Sequence, residues 1–221
     1  MGWGEELPFG FTMNIKEAMT GTARKSLRLL VGDYQLWRIY SIAASQCPEP
    51  DANLDIRLID NLDIFTRPEL EEPLKRANWF EPGAFGCAAW SGNQLDGVCW
   101  FWPGPLLTSR NIGTQPEDCA ELIQITVARR AQGKGIGPAL INFGGRRLLE
   151  AGYRRLYAQI WRTNTASMRA FEKVGWRQVG WFLQCEPLFS GKKATFRWAF
   201  RDPDLISNHV LSNWRDGGSR S

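Results

Sequence analysis

Gln132-Gly133-Lys134-Gly135-Ile136-Gly137 follows the β-like run Leu122–Val127 and opens a helix-like run that begins at Pro138. A strand, a glycine-rich turn and a helix N-terminus together make an anion cradle. The glycines permit tight backbone geometry, and N–H groups at a helix start can hold phosphate oxygens. Spacing narrows the ligand. A P-loop needs Gly-x-x-x-x-Gly-Lys-Ser/Thr, whereas Gly135 here follows directly on Gly133-Lys134. A dinucleotide turn needs Gly-x-Gly-x-x-Gly, but the third position after Gly135 is Pro138. Both nucleotide folds are excluded.

A second stretch lies downstream, Asn164-Thr165-Ala166-Ser167-Met168-Arg169-Ala170-Phe171-Glu172-Lys173-Val174-Gly175-Trp176. Gln132, Gly135 and Gly137 match Gln/Arg-x-x-Gly-x-Gly/Ala, and the downstream stretch is similar to Asn…Ala/Ser…Tyr-Glu-Lys-x-Gly-Phe. In this order, joined by a helix and a strand, the two motifs resemble those of the GCN5-related N-acetyltransferases (GNAT). The resemblance covers residues 120–184 and reaches back more loosely to about residue 54. It implies an α/β (α+β) GNAT fold, a mixed central sheet flanked by helices, with acetyl-CoA as acyl donor.

Composition agrees with one such domain plus extensions. The chain has 221 residues, 43% hydrophobic and 23% charged, enough to bury a real core. Its net charge of +4 is mild and locally concentrated. Arg129, Arg130, Lys134, Arg146, Arg147, Arg154 and Arg155 face one acid, Glu150, within residues 129–155. Beside a phosphate cradle this suits a polyanion such as coenzyme A; a solvated helix face is the other reading. No aromatic-and-basic platform accompanies it, so nucleic acid is not an expected partner. Cys47, Cys87, Cys99, Cys119 and Cys185 are odd in number, without Cys-x-x-Cys, which argues against disulfide or metal frameworks. No metal is expected, and the single His209 has no evident catalytic partner. With no apolar run near the roughly 20 residues of a membrane span, no stable membrane insertion and a cytoplasmic location are expected.

The order of elements divides the chain into residues 1–52, a partly helical extension, 53–202, the acetyltransferase domain, and 203–221, a weakly ordered tail. Asn14 and Glu17 have capping-box spacing for a basic helix ending at Gly32. Tyr34–Ala43 fits strand or helix equally. Leu54–Ile59 reads as strand and Arg67–Asn78 as helix. Phe85–Trp90 and Leu95–Trp102 form a hairpin, and Pro103–Glu117 a long loop. After the Leu122–Val127 strand, a helix runs from about Pro138 to Ala151, with Ile136, Leu140, Phe143 and Leu148 facing the core. Arg155–Trp161, a short helix Thr165–Lys173, Trp176–Gln184 and Thr195–Phe200 complete the domain.

The resemblance also assigns roles. The main chain of Ile125, Thr126 and Val127 would hold the pantetheine arm, where the strand splays from its neighbour. The Val127 N–H would stabilise the oxyanion developing on the thioester carbonyl. Gln132, Gly133, Lys134, Gly135, Ile136, Gly137 and Pro138 would surround the pyrophosphate. Asn164 matches a cofactor-contacting asparagine and equally suits a helix N-cap. Glu121, at the start of the same strand, is the candidate base for the acceptor amine, with an ordinary strand-end residue as the alternative. Gln124 would hydrogen-bond the acceptor. Phe171 stands where the family usually carries a tyrosine acid; it cannot donate a proton, and is expected to pack against the cofactor's arm. Trp100 and Trp102, on one face of the hairpin, either line an acceptor pocket or fill the core.

The leading expectation is transfer of an acetyl or short acyl group to the amine of an unidentified acceptor, a small molecule above all, by direct attack in a ternary complex. A homodimer is compatible with this. Two alternatives stand beside it: a catalytically weak coenzyme A-binding module, and a membrane-associated acyltransferase of long chains using the basic N-terminal helix.

Overall fold

The computed structural model describes residues 34–78, 83–103, 117–185 and 194–199. The helix expected after Asn14, most of the Pro103–Glu117 loop and the tail 203–221 lie outside the described residues. The chain divides into two compact units, Gln35–Leu183 with Thr195–Ser221, and Met1–Tyr34 with Gln184–Ala194. The site belongs to the first.

The strands are β1 (Tyr34–Ala43), β2 (Asp55–Leu58), β3 (Phe85–Ser91), β4 (Gln94–Pro103), β5 (Cys119–Val127), β6 (Arg155–Trp161), β7 (Arg177–Cys185) and β8 (Ala194–Ala199). The α-helices are α1 (Glu72–Lys75), α2 (Ile136–Glu150) and α3 (Thr165–Lys173). The eight strands form one mixed sheet in the order β2-β3-β4-β5-β6-β1-β7-β8. The segment expected as an N-terminal extension thus supplies an interior strand, β1, between β6 and β7. Its period was ambiguous because Ile39, Tyr40, Ser41 and Ile42 are all buried, so polar and apolar residues do not alternate.

The helix expected over Arg67–Asn78 shrinks to one turn, α1, preceded by a 3-10 turn at Leu62–Thr66. Pro68 explains the break. It forces Arg67 into extended backbone (φ −62, ψ 127), and Pro73 sits in the first turn of α1. The helix α2 begins two residues before Pro138, capped by Gly135. Ile136, Leu140 and Leu148 are buried as their spacing predicts, while Phe143 is half-buried beneath Arg147. A Cβ on Gly144 would lie 2.1 Å from the Phe101 ring, and one on Gly145 2.6 Å from Cys47 Sγ. Two glycines in mid-helix cost helix propensity, but they let α2 lie flat on β4. All five cysteines are free and buried.

Candidate active site

The site starts from how β5 is paired. On one side β5 runs antiparallel to β4 as far as Gly97↔Val127. On the other it runs parallel to β6 only from Cys119↔Arg155 to Leu122↔Ala158. Beyond Leu122 the two strands part, and β5 residues change from buried to half-buried. The cause is visible in the β4 register: Trp100 faces Gln124 but Phe101 faces Leu122, leaving Ile123 as a bulge. A bulge bends its strand and increases its twist.

Hydrogen bonding fixes where the main chain of this free stretch points. The Ala128 N–H donates to the Asp96 carbonyl at 2.8 Å, which makes Gly97↔Val127 a non-hydrogen-bonded pair. The N–H and carbonyl of Val127 therefore point away from β4, toward the split. Antiparallel alternation gives Ile125 the same orientation and turns the Thr126 main chain to β4. Of the three residues expected to hold the arm by their backbone, Ile125 and Val127 turn their peptide groups toward the split, whereas those of Thr126 turn to β4 and serve the sheet.

The bulge also sets the side chains. Trp100 and Trp102 share a face of β4, so their partners Gln124 and Glu121 share a face of β5, although three residues apart. Ile125 and Val127 take the other face; their methyls lie 3.8 and 3.9 Å from where a Gly137 Cβ would be. The glycine turn and α2 thus flank one face of the split, and Glu121, Gln124 and Thr126 stand on the opposite one. Glu121 is 1% exposed, and its Oε1 accepts a hydrogen bond from Gln159 Nε2 at 3.0 Å. The Gln124 Nε2 donates to Thr126 Oγ1 at 3.4 Å, and its Oε1 is buried without a partner among the described residues. Unpartnered buried acceptors are uncommon, so this one is suited to a donor on a ligand.

At the end of β5 a 3-10 turn, Arg129–Ala131, leads into the glycines. Gly133 (φ +77) and Gly135 (φ +83) adopt left-handed backbone, with open space where a side chain would be. The N–H groups of Gly133, Gly135, Ile136 and Gly137 donate no hydrogen bond among the described residues. Pro138 has none to give. Gln132 and Lys134 are exposed beside them, and Gln132 Nε2 reaches the Val127 carbonyl at 3.4 Å. The Ile136 side chain is buried, so only its backbone is available to an anion. Four free N–H groups at the start of a 15-residue helix form a ready anion site.

A family model described as the acetyltransferase (GNAT) family matches residues 39–176. The chain belongs to this family. GNAT acetyltransferases draw their acyl group from acetyl-CoA. Two relatives are each called mycothiol acetyltransferase. The one from Geodermatophilus obscurus is 32% identical over 98 residues, 44% of this chain and 30% of the relative. The one from Corynebacterium efficiens is 26% identical over 86 residues, 39% of this chain and 25% of the relative. The matches therefore span less than a third of those relatives. A solved GNAT-family acetyltransferase from Novosphingobium aromaticivorans shares the fold, with a TM-score of 0.52, 16% identity, and coverage of 70% of this chain and 65% of that one.

The structure places the other residues singled out in the sequence as follows. Asn164 caps α3, its Oδ1 accepting the Ser167 N–H at 3.1 Å. Trp100 does not line a pocket: it is wholly buried, its indole N–H donates to the Ala77 carbonyl at 2.7 Å, and its ring lies 6.2 Å from Phe65. Trp102 is half-buried opposite Glu121. Phe171, expected against the cofactor's arm, is instead 1% exposed, edge-on to Trp176 at 4.9 Å and tilted against Tyr40 at 6.3 Å. Burial, then the bond its hydroxyl donates to Glu172 at 2.7 Å, pushes the Tyr40 pKa up.

The basic cluster is mostly spent on acids distant in sequence. Arg146 pairs with Glu49 at 2.6 Å, Arg154 with Asp118 at 2.7 Å, and Arg147 with Glu150 at 2.8 Å. Arg130 pairs with both Glu71 and Asp96. The side chains of Arg129 and Lys134 carry no ion pair among the described residues, and both lie at the glycine turn. Sequence reading missed Gln159, Glu71 and Asp96; they reach the site through strand order and long-range contacts that no local motif encodes. Among the described residues there is no metal-binding cluster and no helix long and apolar enough to cross a membrane.

Proposed function

We propose that this chain transfers an acetyl or other short acyl group from acetyl-CoA to the amine of a small-molecule acceptor, by direct attack without a covalent enzyme intermediate. One observation carries the reading: the main chain of Val127 turns into the split beyond Leu122, and its side chain lies beside Gly137, whose N–H is one of those around the start of α2 that have no partner among the described residues. The Val127 N–H polarises the thioester carbonyl and holds the developing oxyanion. Ile125 and Val127 hold the arm as an added strand. Gly133, Gly135, Ile136 and Gly137 hold the pyrophosphate, with Lys134 and Arg129 adding charge.

The acceptor enters from the face that carries Glu121 and Gln124. Glu121 takes the proton as the amine nitrogen bonds to the acyl carbon, and the carbon–sulfur bond breaks to release thiolate. Gln124 Oε1 accepts from the amine and aligns it. With Phe171 enclosed in the core, the thiolate takes its proton from water; a thiol pKa near 8.5 makes it a tolerable leaving group.

The test is release of free thiol from acetyl-CoA across a panel of amines that includes an unacetylated mycothiol precursor. Amine-dependent release is the expected result. The absence of tyrosine at position 171 favours a second reading, a coenzyme A-binding module. Tight acetyl-CoA binding with no amine-dependent release across the panel would establish that alternative.

A further inference from the structure

Glu71 lies 58 residues before Arg129, yet its Oε2 accepts the Arg129 N–H at 2.7 Å. Its Oε1 accepts from Arg130 Nη1 at 3.2 Å. The same guanidinium donates through Nη2 to the Leu95 carbonyl at 2.8 Å and to Asp96 Oδ1 at 3.0 Å. Asp96 is 6% exposed; its other carboxylate oxygen accepts from Ser91 Oγ, and its carbonyl receives the Ala128 N–H at 2.8 Å. Three segments, residue 71 before α1, the β3–β4 hairpin and the turn Arg129–Ala131, are thus tied at the point where β5 enters the phosphate turn.

From this geometry we infer that Glu71, with Arg130 and Asp96, is a positioning residue for acetyl-CoA: it holds the entrance of the glycine turn so that the N–H groups of Gly133–Gly137 converge on the pyrophosphate. The inference rests on the acyl-CoA reading of the split. It explains why a carboxylate stands beside a polyanion site, where charge alone disfavours it. Bidentate contact between the carboxylate, a backbone N–H and an arginine fixes direction as well as distance. The Glu71 carboxyl is held below the usual range chiefly by the Arg129 N–H, so it remains an acceptor at neutral pH. The same segment also braces the acceptor side, since Ala77 receives the Trp100 indole N–H and Trp100 faces Gln124.

The test separates positioning from charge because the two predict opposite signs. Removing a negative charge beside a polyphosphate site should tighten binding if Glu71 were only a bystander. Positioning predicts that Glu71→Gln weakens acetyl-CoA binding about tenfold and Glu71→Ala more, with kcat at saturating acetyl-CoA within about twofold of wild type. Calorimetric Kd and the split between KM and kcat read this directly. Arg147→Gln, which removes a surface pair away from the turn, serves as the stability control. Unchanged or tighter binding in both Glu71 variants, with wild type binding normally, would overturn the inference alone. A wild-type chain that does not bind acetyl-CoA would overturn it together with the reading beneath it.

Discussion

Gly97 and Val127 face each other across β4 and β5 without exchanging hydrogen bonds, and this turns the peptide of Val127 into the split left by β6. The last pair joining β5 to β6 is Leu122↔Ala158, so among the described residues the Val127 N–H has no strand to bond. Peptide groups withdrawn from water normally find a partner. In the function proposed above that partner is the acyl donor's own amide chain, and the same peptide group would hold the oxyanion.

Gly135 holds a φ of +83 as the cap of α2. Gly135→Ala should cost about 1–2 kcal/mol, because left-handed backbone crowds a Cβ. It should also weaken acetyl-CoA binding, since the turn would relax out of register. Chemical denaturation and a Kd titration check both. Wild-type affinity in the variant would mean the turn does not hold the pyrophosphate.

General-base catalysis typically contributes about 10²–10⁴ in rate, so Glu121→Gln should lower kcat/KM at least about 10²-fold with acetyl-CoA binding intact. Gln159→Leu removes the donor that fixes Glu121 Oε1 and should lower kcat about tenfold. Combined, the two substitutions should cost little more than Glu121→Gln, as expected for residues acting as one unit. Full kcat/KM in Glu121→Gln would rule Glu121 out as the base.

Restoring the family's tyrosine should not restore an acid. Phe171 is enclosed by Tyr40 and Trp176, so Phe171→Tyr adds a hydroxyl in the core and should cost about 1–3 kcal/mol without raising kcat. A rise in kcat of tenfold or more would show that position 171 does reach the leaving thiolate.

The pH dependence of acetyl-CoA affinity follows from Glu71. Its carboxyl is depressed, first by the Arg129 N–H, so its contribution is full above the ordinary carboxylate pKa of about 4.3 and lost as pH falls through the lower folded value. Affinity should hold steady in this respect from pH 8 to about 5 and weaken only below. Glu71→Gln should lack that acid limb; fluorescence titration across pH compares the two.

The fold was readable where local rules dominate. The turn at Gly133–Gly137, the capped helix after Asn164 and the hairpin around Gly92 each declare themselves in a few residues. Contacts set by topology did not. Nothing local says that Tyr34–Ala43 inserts between β6 and β7, and its continuous burial hides its period. The bulge at Ile123 is equally silent, yet it brings Glu121 and Gln124 onto one face and leaves Thr126 bonded to β4. Phe171 shows the reverse error: motif position suggested contact with the cofactor's arm, whereas packing against Tyr40 and Trp176 puts its ring in the core. Of the two readings open for Trp100, packing against Phe65 selects the core. The acids that neutralise Arg130, Arg146 and Arg154 also come from far along the chain, so the apparent basic patch reduces at the turn to Arg129 and Lys134.

The most direct test is a crystal structure of the chain with acetyl-CoA bound. The arm should lie between β5 and β6 beyond Leu122, with the thioester oxygen within hydrogen-bonding distance of the Val127 N–H and the pyrophosphate on Gly133–Gly137. A thioester bound elsewhere, or a split closed by β6 while acetyl-CoA is bound, would contradict the account.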